Sequence, residues 1–162
     1  MFQSLKACYF RGGDWLATWI GPIVLLGFRI WVALAFWHAG VVKIEDPAGT
    51  QFLFENMYHV PLLPADVAAV LGTWIELIAP WFLGLGLIGR LSALFLFVYN
   101  IVAFTSYPAL WPNGFWIDLV NTTSFADHKI WALMLLAVVA WGPGALSLDR
   151  ALASMAGRWR RA

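Results

Sequence analysis

Cysteine is almost missing from this sequence, with Cys8 the single example among 162 residues. One thiol excludes an internal disulfide, a CxxC redox pair and a cysteine-cluster metal site within one chain. Cys8 itself, set beside aromatic residues, reads as inert. Charge is scarce as well. Asp, Glu, Lys and Arg make up 12% of the chain, against roughly 25% in soluble domains. The net charge is +1 and no segment carries a basic stripe, which argues against nucleic acid as a partner. The three histidines, His38, His59 and His128, show no HxH, HxxxH or HExxH spacing, so no metal motif is present.

What the chain has instead is apolar surface. It is 62% hydrophobic with a mean hydropathy of +0.75, which is membrane-protein composition. Its eleven tryptophans suit aromatic belts at the two water interfaces better than a cofactor cage. At this length one domain is expected. Residues 1–19 read as an N-terminal cytoplasmic or interfacial segment, 20–145 as the membrane domain and 146–162 as a basic tail.

Four apolar stretches read as helical spans: Ile20 to Val42, Val67 to Ile88, Leu91 to Tyr107 and His128 to Trp141. The first is too long for a signal-peptide core and is interrupted by Arg29. Pro22 suits its opening turn. Asp66 reads as an N-cap of the second span, Pro108 ends the third, and Gly142-Pro143-Gly144 stops the fourth. Between the first two spans, QFLFENMYHV reads as a short interfacial helix. Lys6, Arg11, Arg90, Arg150, Arg158, Arg160 and Arg161 fall on one side, and only Lys43 and Lys129 on the other. The positive-inside rule then gives an all-α, four-helix transmembrane bundle with both termini cytoplasmic.

Polar groups inside such spans are the candidates for function. Glu76 stands in GTWIELIAPWFLGLGLIGR among the small or compact neighbours Gly72, Thr73, Ala79 and Pro80. That setting predicts a helix interface. By helical rise, Arg29 and Asn100 lie roughly 13 Å from the cytoplasmic ends of their spans, and Glu76 roughly 18 Å. An Arg29–Glu76 pair with Asn100 nearby is therefore expected, with the fixing of helix register as its plainer role. A second cluster gathers at the outer face, where His38, Lys43, Asp127 and His128 form a candidate ligand site. Imidazole there suits a quinone headgroup, and solvated interfacial histidines are the plainer account.

Three stretches carry a resemblance to a known family: FRIWVALAFWHAGVVKIEDPAGT, the Glu76 helix GTWIELIAPWFLGLGLIGR, and WGPGALSLDR at the close of the last span. Together they resemble the DoxX family of small bacterial inner-membrane proteins. The resemblance implies a four-helix membrane fold and marks Arg29, Lys43, Glu76, Arg90, His128 and Asp149 as its polar positions. It also implies a place in redox or stress-related systems, where relatives include a subunit of a thiosulfate:quinone oxidoreductase. Three readings stay open. One is the membrane subunit of a quinone-linked redox complex, with other redox or periplasmic proteins as partners. Another is a non-catalytic anchor or assembly partner for oxidative-stress or metal-peptide maturation proteins. The third is a small transporter or proton path using Glu76. Neither the electron donor nor the oligomeric state is written in the sequence.

Overall fold

The computed structural model describes residues 12–159, the side chains through residue 156. Lys6, Cys8, Arg11, Arg160 and Arg161 lie outside the described residues. The described chain is built of helices, with no strand among these residues. A first helical piece, residues 12–19, runs into α1 (Gly21–Glu45). Then come α2 (Pro47–Asn56), α3 (Ala65–Leu85), α4 (Gly89–Thr105), a 3₁₀ turn at Pro108–Leu110, α5 (Phe115–Val120), α6 (Ala126–Trp141) and α7 (Leu148–Trp159). The stretches Gly12–Glu45 and Ala65–Leu85 are long and apolar enough to cross a membrane, and α4 is a shorter apolar helix.

α1 packs most closely on α3, and α4 on α6. Two lighter contacts, α1 on α6 and α3 on α4, close the ring. All four helices contribute to the core, which gathers Val32, Ala33 and Phe36, Leu83, Ala93 and Leu96, and Leu135 and Val138. Large apolar side chains such as Trp31, Leu34, Trp74, Ile78, Trp81 and Leu133 instead point outward. In water this surface would be a severe liability, whereas lipid is its natural solvent. One end of the ring carries α2 and α5 and is called the loop end below. The other carries residues 12–19 and α7 and is called the terminal end.

Several boundaries depart from the sequence expectation for local reasons. The second helix stops at Leu85, because Gly86 takes φ +66° and two C-terminal hydrogen bonds close the turn, Gly86 N to Leu83 O and Leu87 N to Phe82 O. Glycine adopts that left-handed backbone without a Cβ clash. Asp66 sits inside the first turn of α3 and makes no cap; Pro64 precedes the helix instead. The short helix between the first two long ones begins at Pro47, capped by Asp46, whose Oδ1 accepts from Gly49 N at 2.9 Å. α5 and α7 were not foreseen. α7 spans much of what the composition marks only as a basic tail.

Candidate functional site

The α1–α3 contact sets the register of the site. A Cβ on Gly40 would lie 2.9 Å from Leu77 Cγ and 3.0 Å from the carbonyl carbon of Glu76, so only glycine lets the helices come this close. One turn beyond Gly40, Lys43 reaches across, and its Nζ forms a salt bridge with Glu76 Oε2. The other carboxylate oxygen, Oε1, accepts from Tyr99 Oη on α4 at 2.9 Å. Pro80 stands four residues after Glu76 inside α3. Lacking an N–H, it cannot donate to the Glu76 carbonyl, and the helix is locally loosened where it carries its charge.

The expected Arg29–Glu76 pair does not form. The register that sets Gly40 against Glu76 sets Arg29 against Gly86, about ten residues away, roughly 15 Å along the helix axis. The depth estimate failed because α1 meets α3 through Gly40, a register in which α1 runs on past the end of α3 and leaves Arg29 level with Gly86. Arg29 is fully buried at the terminal end, where its Nη2 donates to Leu146 O. It thereby ties α1 to the segment after α6. Nearby, Asp149 accepts from Ile88 N at 2.8 Å and Gly89 N at 2.7 Å, capping the start of α4.

Asn100 belongs to neither charge. Its Nδ2 donates to the His128 carbonyl at 2.9 Å, and its Oδ1 meets His128 Nδ1 at 2.8 Å. A carbonyl can only accept, so the first bond fixes which end of the amide faces it. Oδ1 must then accept from Nδ1–H, which leaves Nε2 of the neutral ring as a lone-pair acceptor.

Lys43, Glu76, Tyr99 and His128 all line one cavity of about 530 Å³ at the loop end, between α1, α3, α4 and α6. Its remaining wall is aromatic and apolar, including Phe36, Tyr58 and Trp131. Ser106 lines it too, 2% exposed, and its Oγ has no hydrogen-bond partner among the described residues. A buried hydroxyl without a partner is uncommon. Tyr58 packs between Phe54 and Tyr107, with 4.8 Å between ring centroids on each side. Burial, helped by Tyr107 and Glu76, pushes its phenol above the ordinary tyrosine range, so it stays a proton-bearing donor.

Of the expected outer-face group, the structure brings together Lys43 and His128. His38 and Asp127 are exposed and do not line the cavity. His59 is exposed as well, its backbone N–H bonded to Ser106 O at 2.7 Å. Tyr99, Tyr58 and Ser106 were missed by the sequence reading. The signal was available on α4, where Phe95, Val98, Tyr99, Val102 and Ser106 follow one helical stripe.

At the loop end the 111–125 segment folds into a cap packed on Phe104. Asp118 is fully buried and accepts from Asn113 N (2.9 Å), Asn113 Nδ2 (3.1 Å) and Ser124 Oγ (2.8 Å). Lys129 Nζ donates to the Asp118 carbonyl at 2.8 Å and to that of Asn121, and sits 4.3 Å from the centroid of the Phe125 ring. Burial opposes charge on Asp118. The bonds from Asn113 and Ser124, with Lys129 nearby, outweigh it and hold the carboxyl below its ordinary range.

These features define an apolar, lipid-facing helical protein with a polar cavity at one end. The DoxX family profile matches residues 24–109, just over half of the chain. The protein belongs to the DoxX family, a family of membrane proteins. No curated protein and no solved structure shows a significant match to it.

Proposed function

We propose that the protein is a four-span protein of the bacterial inner membrane with both termini in the cytoplasm. Its cavity holds the headgroup of a quinone, and the chain serves as the membrane subunit of a redox system. The observation that carries this reading is His128, its Nε2 free of any partner among the described residues, lining an aromatic-walled cavity together with the Lys43–Glu76–Tyr99 group. A volume of about 530 Å³ lies within the range of small-molecule pockets. The wall is apolar and the polar groups are few, as cofactor sites generally are.

A bound quinone would supply two-electron, two-proton chemistry that no side chain of this protein offers. The residues would bind and orient it. His128 Nε2 can accept from a hydroxyl on the reduced ring. Asn100 keeps the imidazole in the tautomer that leaves this acceptor free. The Lys43–Glu76–Tyr99 group gives the site a fixed, neutralised charge pair. The excess of positive residues on the terminal side supports an orientation with the loop end, and hence the cavity, at the outer face. Partner proteins that exchange electrons with the site would meet it there.

The test is equilibrium binding of a short-tailed, water-soluble benzoquinol, kept reduced under anaerobic conditions, to the purified protein in nanodiscs. Binding should weaken about tenfold or more in His128→Ala, where an acceptor inside an apolar cavity is lost. Thermal stability should fall far less. Unchanged affinity in a folded His128→Ala protein, or no binding by the parent, would overturn the reading.

A further inference from the structure

The headgroup cavity does not end at its polar residues. Where α3 and α4 meet only lightly, a second hollow of about 560 Å³ lies next to it toward the terminal end. Leu71, Ile75 and Phe95 line both spaces, so the two adjoin and only these side chains stand between them. On α3 the lower hollow is lined by Leu71, Trp74, Ile75, Ile78, Ala79 and Phe82, a single stripe at helical spacing. On α4 the facing stripe runs through Leu91, Ser92 and Phe95. Ala79 and Ser92 are its small residues and make it a groove instead of a filled seam. Leu71 to Phe82 spans about 16 Å of helix.

Each helix therefore carries one stripe with polar groups only at the loop end. Glu76, Tyr99 and Ser106 stand in the upper cavity, and below Glu76 only Ser92 interrupts the apolar lining. Ser92 Oγ is already turned back to the Gly89 carbonyl at 3.1 Å. The slot is amphiphile-shaped, its long axis runs along the helices, and its side is open where Trp74, Ile78 and Leu91 are exposed.

We infer that the α3–α4 seam is a lateral way in from the bilayer and that it seats the tail of a long-chain polyprenyl quinone. This inference rests on the quinone reading of the cavity and adds the ligand's chemical class: a membrane-borne, long-tailed quinone and not a soluble one. A tail lying in the groove keeps its apolar contact while the headgroup reaches past Ile75 and Phe95 to His128. Burial of each further methylene in such a groove favours the long-tailed ligand.

The experiment compares a short-tailed and a polyprenyl benzoquinol, both kept reduced and bound to parent, Ser92→Phe and Ala79→Leu proteins in nanodiscs of one lipid composition. Each substitution fills the groove from a different helix. Polyprenyl affinity should fall about tenfold in each variant. Short-tailed affinity should stay within about twofold, because the headgroup contacts lie beyond coupling range. Retained short-tailed binding also reports that the variant is folded, and if one variant fails to fold the other decides. Equal loss of both ligands in folded variants, or loss of neither, overturns the tail channel. Loss of neither would leave the headgroup reading standing. Release of a tightly held phospholipid with unchanged quinol affinity would make the groove a lipid site and overturn the inference. Failure of the parent to bind either quinol overturns both readings.

Discussion

Glu76 is held by two partners on two other helices, Lys43 on α1 and Tyr99 on α4. The pair is largely shielded, with side-chain exposures of 18% for Lys43 and 7% for Glu76. Removing one member leaves the other charged in an apolar wall, a loss of about 3–5 kcal/mol for a fully buried pair. Partial exposure of Lys43 puts the expected cost near the lower end. Lys43→Met and Glu76→Leu should each destabilise the protein, and the double variant should recover much of the loss. Arg29 provides the contrast. Since it sits beside Gly86 and bonds Leu146 O, Arg29→Leu and Glu76→Leu should lose stability additively. Unfolding in mixed detergent micelles reads all of these. A coupling energy above about 0.5 kcal/mol between Arg29 and Glu76 would contradict the observed register.

At the scale of elements, two contacts carry the geometry and each makes a prediction. Gly40 lets α1 touch the backbone of α3, and a methyl group there meets Leu77 and Glu76 at about 3 Å. Gly40→Ala should force the helices apart and cost about 1–3 kcal/mol, as overpacking does. It should also remove the benefit of the Lys43–Glu76 pair, so that Gly40→Ala and Glu76→Leu are less than additive in the same unfolding assay. The cap is the second element. The folded-state value of Asp118 is depressed below its ordinary 3.8, so its contribution is fully present above about pH 4 and is lost as pH falls through the lowered value. Limited proteolysis of the 108–127 loop should accelerate over that acid range in the parent. In Asp118→Asn it should already be faster at neutral pH and change less on acidification. The four long helices were legible in the sequence because apolar run length is a strong signal. α5 was not, since a six-residue helix is set by its tertiary contacts and the buried Asp118. The site was half legible. Glu76, Lys43 and His128 announced themselves as polar groups among apolar ones, but their partners depend on the register between α1 and α3, which the close approach at Gly40 decides.

Across the whole molecule, polar function and positive charge lie at opposite ends. The cavity, the Asp118 cap and α2 occupy the loop end, whereas Arg90, Arg150 and the start of α7 lie at the other. In the proposed orientation the second end faces the cytoplasm, and α7, with one polar and one apolar face, would lie along the inner membrane surface. That assignment makes a direct prediction about accessibility. Glu45 is exposed just before α2, and Thr122 is exposed in the loop after α5. Asp118, though in the same loop, is fully buried and would shield a thiol. In a protein lacking Cys8, Glu45→Cys and Thr122→Cys should react with a membrane-impermeant maleimide added to intact cells whose outer membrane has been made permeable. Ala151→Cys, exposed on α7, should react only after the inner membrane is opened. The same experiment bears on the quinone site, because the cavity shares its end with the first two positions. Labelling of Ala151→Cys from outside, with Glu45→Cys protected, would invert the molecule and turn the proposed site toward partners in the cytoplasm.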